Sequence, residues 1–225
     1  MAMDWVALEL SVRLALATTL VLLIVGVPLA YWLSFARWRL KFFVEALVAL
    51  PLVLPPTVLG FYILLAIAPT SPLGRLYLAL TGQMLPFSFE GLVIASAVYS
   101  LPFAVQPLVA AFSSVDRRLI EASWVLGVSP IQTFFRVILP LSLPGVITAA
   151  VLSFAHTLGE FGVVLMVGGN IAGVTRTASI SIYDHVQALN YDAAGRTALV
   201  LVSISFVVLA ITYGVQRRVW AVWPW

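Results

Sequence analysis

Charged residues divide this chain into long uncharged stretches. None occurs from Leu14 to Ala36, from Ala46 to Gly74, from Gly91 to Val115, or from Thr197 to Gln216. Val137 to Thr175 carries only His156 and Glu160 as ionisable residues. A helix that crosses the hydrocarbon core of a bilayer needs roughly 20 predominantly apolar residues. The pattern therefore predicts an all-α integral membrane protein with five transmembrane helices, near 8–34, 43–67, 91–112, 142–167 and 197–216, in one domain covering 1–225. No internal repeat or low-complexity segment interrupts it. Two longer connections are expected on one side, 69–90, rich in Pro and Gly, and 168–196. In the second, Ile182, Tyr183, Val186 and Leu189 recur at helical spacing and predict a short helix at the surface.

The period changes between the third and fourth spans. Asp116 is placed to cap a helix from Arg117 to Leu126. Gly127 suits the left-handed residue that ends it. Ser129 then caps a second helix with Pro130 in its first turn. Ile131, Phe134, Phe135 and Ile138 fall at i, i+3, i+4 and i+7 and predict one apolar stripe. Pro140 and Pro144 should stop this helix before the fourth span. The connection 113–141 is thus a compact helix–turn–helix. Two readings fit it: an interfacial helix pair that seals the bundle, or a rigid handle that takes force from a soluble partner.

Composition supports the membrane assignment. The chain is 62% hydrophobic and only 9% charged, with a mean hydropathy of +1.09, against about 25% charged residues in ordinary soluble domains. Asp4 and Glu9 stand where a signal peptide would be basic, so the first run reads as a retained helix. There is no cysteine, which excludes disulfides and thiolate metal sites. The net charge of +3 says less than its placement. With five spans, eight basic residues (Arg37, Arg39, Lys41, Arg117, Arg118, Arg136, Arg217, Arg218) share one side and three (Arg75, Arg176, Arg196) the other. The positive-inside rule then places the C-terminus and 113–141 in the cytoplasm and the N-terminus outside. Trp38, Trp220, Trp223 and Trp225 flank cytoplasmic ends, as an aromatic belt would.

Candidate chemistry is sparse. Pro51, Pro55 and Pro56 lie within the second predicted span and free several backbone carbonyls, which in lipid must find internal partners or a wet path. Leu54, Pro55, Pro56 and Thr57 are therefore candidate pathway or gate residues, or else a structural kink. Gly145, Ala149, Ser153 and Thr157 form a ridge of small residues, fit for core packing or a dimer contact. His156 and Glu160 are four apart, so they share a helical face and could pair. Ionisable groups at this depth are costly and face protein or water. The pair either lines a path or locks subunits together, and an acid on the path would repel an anion. Asp184 and His185 diverge on a helix and face solvent or a docked partner. Arg176 and Arg196 could attract an anion, contact a partner or stay solvated. No catalytic set, metal-ligand spacing or G-x-x-x-x-G-K-[ST] phosphate loop occurs, and Lys41 is the only lysine.

Glu121-Ala122-Ser123, three residues, Gly127 and then Leu139-Pro140 resemble the EAA loop of ABC-importer permeases, with Ser123 for an alanine and Val137 for an isoleucine. LPLVLPPTVLG at 50–60, SFAHTLGEFG at 153–162 and GGNIAGVTRT at 168–177 resemble the molybdate permeases, along nearly the whole chain. The resemblance departs at His156, where those permeases usually have arginine. It implies an importer-type ABC permease fold and an inner-membrane, multi-pass subunit that is not itself an enzyme and holds no cofactor. Glu121, Ala122, Ser123, Gly127, Leu139 and Pro140 would then couple to a separate cytoplasmic ATPase. The implied partners are a second copy of the chain, the ATPase subunits, an extracytoplasmic oxyanion-binding protein and the lipid bilayer, with no nucleic acid. ATP-driven closure would draw the 117–139 elements together and open the bundle outward. The sulfate and tungstate permeases are the nearest alternatives. An intramembrane hydrolase using His156 and Glu160, or a passive channel, would be alternatives of another class.

Overall fold

The computed structural model describes residues 4–222, with side chains for all of these except Tyr213 and residues 215–222. The expected belt residues Trp223 and Trp225, and the side chains of Arg217, Arg218 and Trp220, lie outside the described residues.

Among the described residues, three helices are long and apolar enough to cross a membrane: α1 (Trp5–Phe35), α5 (Phe89–Ser113) and the Tyr191–Thr212 part of α12 (Tyr191–Val222). The number rises to as many as five if each of two bent helix pairs is one span. Among the described residues there is no strand.

The second predicted span, 43–67, is not one kinked helix. It is α2 (Lys41–Ala49) with a 3₁₀ turn at Leu50–Leu52, then α3 (Pro56–Ile67), bent by 113°. The cause is local. A residue before proline is driven out of the helical region, and Pro55, which precedes Pro56, is extended at φ −54°, ψ 134°. The outer connection 69–90 contains an unforeseen helix, α4 (Pro72–Thr81). Ser71 caps it, accepting from Gly74 N at 2.9 Å, and the left-handed Gly82 ends it.

After α5 come α6 (Arg117–Val125), α7 (Pro130–Thr133), a π-helical turn at Phe134–Ile138 and α8 (Leu139–Leu141). Pro140 does not stop this run, as expected, but sits inside it. Proline cannot donate to the carbonyl four residues back and its ring crowds that carbonyl. The wider turn, in which Leu139 N donates to Phe134 O, accommodates it. The chain bends by 74° at Ser142 into α9 (Leu143–Leu158). The fourth predicted span, 142–167, is also divided. α9 ends at Gly159, and α10 (Gly162–Gly168) follows. The predicted surface helix is α11 (Ala178–Gln187), but it buries Ala178, Ile180 and Ser181, whereas Tyr183, Val186 and Leu189 of the expected stripe are exposed.

α1, α5 and α9 pack against one another and form the centre of the bundle. One core joins Leu33, Leu108, Phe112 and Ala149 to Ile120 and Ile138 of the 113–141 connection. A second joins α3, α5 and α10 through Ile63, Ala95, Val163 and Val167. The small-residue ridge serves packing within the chain. Ala149, Ser153 and Thr157 are buried, and a Cβ at Gly145 would stand 2.2 Å from Ala111 Cβ on α5. Ser142 Oγ and Ser114 Oγ both donate to Ala111 O, satisfying a carbonyl at the end of α5. Outside this core the surface is apolar: Ile24, Leu199 and Phe206 are exposed, as a lipid-facing bundle requires.

Gly145→Ala should therefore loosen the α5–α9 contact and cost about 1–3 kcal/mol through overpacking. Thermal unfolding of the purified protein in detergent checks this. Ala111→Gly in the same chain should restore most of the loss, because the clashing methyl is its own.

Candidate functional site

The helix–turn–helix is built as its sequence requires. Asp116 Oδ1 accepts from Arg118 N at 2.9 Å. At the other end of α6, Gly127 has φ +77°. Gly127 N donates to Trp124 O at 2.9 Å and Val128 N to Ser123 O at 3.0 Å, the paired bonds of a Schellman motif. Ser129 and Gln132 close a capping box at the start of α7. The two halves are joined by a buried hydroxyl pair, Ser123 Oγ to Thr133 Oγ1 at 2.8 Å. Ser123 donates to Ile120 O at 2.7 Å, so Thr133 must donate to Ser123.

The expected single apolar stripe is split. Ile138 is buried and Phe134 packs edge-on against Tyr31 and Phe112. Ile131 and Phe135 point outward, 73% and 61% exposed. Helix geometry sets Phe134 and Ile138 toward one edge of that stripe and Ile131 and Phe135 toward the other, and the bundle core covers only the first edge. The element thus has a root and a tip. Ile120 and Ile138 anchor the root in the bundle core. The tip presents an apolar patch of Trp124, Val125, Leu126, Ile131 and Phe135, and Arg117, Arg118 and Glu121 of α6 are exposed as well. Of the six candidate coupling residues, Glu121, Ala122, Gly127 and Pro140 are exposed, Leu139 is half-buried, and Ser123 is the internal clasp.

The candidate gate residues lie at a second place, where both helix breaks meet. Pro56, at the start of α3, abuts Gly162, at the start of α10, where a Cβ would stand 2.8 Å from Pro56 Cβ. Pro55 and Thr57 are exposed there, and Leu54 and Pro56 are half-buried. Glu160 sits in the break beside this contact, 4% exposed, with neither carboxyl oxygen hydrogen-bonded among the described residues. The Ser96 hydroxyl faces it without good hydrogen-bond geometry. His156 and Glu160 do not pair. The i, i+4 relation holds only along a continuous helix, and α9 ends at Leu158. His156 Nδ1 instead lies 2.9 Å from Ser100 Oγ, with the ring stacked on Phe103. Ser96 and Ser100 were invisible as site residues in the sequence, since serines occur on any helix face.

At the opposite end of the bundle from the helix–turn–helix, the 168–177 segment is tied down. Thr175 Oγ1 donates to Gly168 O at 2.6 Å, and Ala178 N donates to Ser11 Oγ at 2.8 Å. Arg176 donates to Asn170 Oδ1 and pairs with Asp184 at 3.7 Å. Arg176 and Asp184 therefore serve this loop and each other.

This arrangement, a bundle with broken inner helices and a protruding helix pair rooted in its core, is the fold of importer-type ABC permeases. The protein superposes on the inward-facing MetNI methionine ABC transporter with a TM-score of 0.73 at 18% identity, over 95% of this chain and 94% of that one. A bacterial alginate ABC transporter, solved with an alginate pentasaccharide-bound periplasmic protein, gives a TM-score of 0.73 at 17% identity over 95% and 78% of the chains. Residues 23–220 match the binding-protein-dependent transport system inner membrane component family, and the chain belongs to that family. It is a multi-pass membrane transport subunit. Among its relatives, the molybdenum transport system permease protein ModB of Azotobacter vinelandii is 52% identical over 214 residues, 95% of each chain. ModB of Mycobacterium tuberculosis is 40% identical over 90% of this chain and 76% of its own. ModB of Escherichia coli K12 is 33% identical over 95% and 94%.

Ser123→Ala should leave the buried Thr133 hydroxyl without a partner and destabilise the element by about 1–3 kcal/mol. Adding Thr133→Val should recover much of this, because the orphan is then removed. Hydrogen exchange over 117–141 in the single and double variants checks the clasp.

Proposed function

We propose that this chain is the membrane-spanning permease subunit of an ATP-driven importer for molybdate. The observation that carries the substrate is the 52% identity to ModB of Azotobacter vinelandii over 95% of both chains. The working complex in this reading is a homodimer of permeases with two cytoplasmic ATPase subunits and an extracytoplasmic oxyanion-binding protein. The charge asymmetry supports a cytoplasmic 113–141 element and C-terminus and an external N-terminus. ATP hydrolysis belongs to the partner chain.

Glu121, Ala122, Gly127, Leu139 and Pro140, with the Ser123 clasp, couple the bundle to the ATPase. The rooted geometry supports this over a mere interfacial seal. Val125 and Leu126 are 88% and 82% exposed at the turn, while Ile120 and Ile138 fix the element in the bundle core, a rigid hold that a helix pair merely lying in the interface does not need. Because the root shares one core with Leu33 and Phe112, displacement of the tip moves α1 and α5 as a body. Leu54, Pro55, Pro56 and Thr57, meeting α10 at Gly162, serve as the gate: two helix ends in contact without continuous backbone bonding can part without breaking a helical ladder.

Cellular molybdenum, measured by elemental mass spectrometry, tests the reading in cells that lack their own high-affinity uptake and carry this permease with its ATPase and binding protein. Accumulation at trace molybdate should withstand excess sulfate and cease when the ATPase is inactivated. Abolition by sulfate would move the assignment to a sulfate permease, and uptake without ATP hydrolysis would mark a channel. Glu121→Lys should leave membrane insertion intact but uncouple uptake. Gly127→Val should weaken co-purification with the ATPase, since a β-branched residue in the left-handed region costs roughly 1–2 kcal/mol. No side chain crowds that position, so the backbone strain alone is tested. Unchanged co-purification and uptake in both variants would remove the coupling role.

A further inference from the structure

We propose that His156 is an uncharged hydrogen-bond donor to the oxyanion in transit, aimed by a buried hydroxyl relay. The proposal rests on the importer reading above. Ser100, on α5, is fully buried. Its Oγ lies 3.0 Å from Thr157 Oγ1 and 2.9 Å from His156 Nδ1. Each hydroxyl has one proton to give, so the chain of bonds has two directions. If Nδ1 donated to Ser100 and Ser100 to Thr157, the Thr157 hydroxyl, 3% exposed, would have no acceptor among the described residues. In the other direction Thr157 donates to Ser100 and Ser100 donates to Nδ1, so both buried hydroxyl protons are used and the unpaired donor is the less buried imidazole. An unmade buried bond is the costlier choice. The imidazole proton therefore resides on Nε2, which has no hydrogen-bond partner among the described residues.

The ring is fixed as well as polarised. Phe103 stacks on it at 3.9 Å between centroids and 24° between planes, and Tyr99 lies tilted at 4.8 Å. With one edge bonded and one face stacked, the Nε2–H direction is set. The surface around it is not suited to lipid. Tyr99, Phe103, Gln106 and Ala110 follow one face of α5, and Gln106 is exposed partway along that apolar helix. Gln106 lies one turn along this face from Phe103, and a primary amide at such depth requires water or protein opposite it. Glu160, the nearby acid, is buried, as is Ser96 opposite it, so a carboxylate does not line this face. A neutral N–H suits a dianion that must leave again. It offsets part of the lost hydration without the deep well a fixed positive charge would create.

Two variants separate donor from packing. His156→Phe keeps an aromatic ring and removes the donor, whereas His156→Gln keeps an N–H donor without the ring. Molybdenum uptake should fall by about tenfold or more in the Phe variant and by about threefold or less in the Gln variant, with complex assembly unchanged, as expected for one hydrogen bond to a charged group. Parent-like uptake by His156→Phe would overturn the proposal. Equal loss in both variants would do the same and mark a packing role. The tautomer is read independently by ¹⁵N NMR of histidine-labelled complex carrying His185→Gln, which leaves one histidine in this chain. Protonated Nε2 is expected, and protonated Nδ1 refutes the relay. If the parent imports sulfate instead, the same comparison is made on sulfate. A parent that moves neither anion overturns the importer reading, while the NMR result still judges the relay.

Discussion

Hydrocarbon offers no hydrogen bonds, so every backbone amide and carbonyl that a proline or a turn releases must be answered from within the protein. Much of this architecture follows from that constraint. The helices break at 53–55 and 159–161, and the two breaks are set against each other, Pro56 on Gly162. Pro56 is half-buried by this contact, while Val53 and Pro55 remain exposed beside it. The end of α5 is handled similarly, with Ala111 O taking hydroxyl protons from Ser114 and Ser142. The irregular backbone of the two breaks is thereby brought together at one place in the fold.

The same economy links motion to chemistry. α5 touches nearly every functional feature: the helix–turn–helix root through Phe112, the α9 ridge through Ala111, and the His156 relay through Ser100. In the proposed importer, a push on the tip would reach His156 through packed side chains and one close helix contact. Packed interiors move as bodies rather than deform continuously, so rigid transmission is the natural consequence of this core.

Uncharged stretches specified where helices run, because the cost of charge in lipid acts residue by residue. α1 and α5 lie within a few residues of their predicted ends. The caps at Asp116 and Ser129 and the turn at Gly127 were equally legible, since capping is a contact over two to five residues. Pro55-Pro56 announced a disturbance, but its size, a 113° bend, depends on what α3 finds to pack against. The missed α4 helix carried its own cap and stop, Ser71 and Gly82; a Pro- and Gly-rich composition obscured them.

Side-chain partnerships were decided by the tertiary structure. Spacing paired His156 with Glu160, yet the helix ends between them, and the true partner, Ser100, lies 56 positions away on another helix. The stripe Ile131–Ile138 was divided because the bundle core covers only its Phe134 and Ile138 edge. Arg176 found Asp184 only once the loop had folded back. Local sequence determines where the backbone is helical, because those energies are local. Which polar group answers which is a long-range matter, settled when separate helices are brought together and the unpartnered alternatives become too costly to keep.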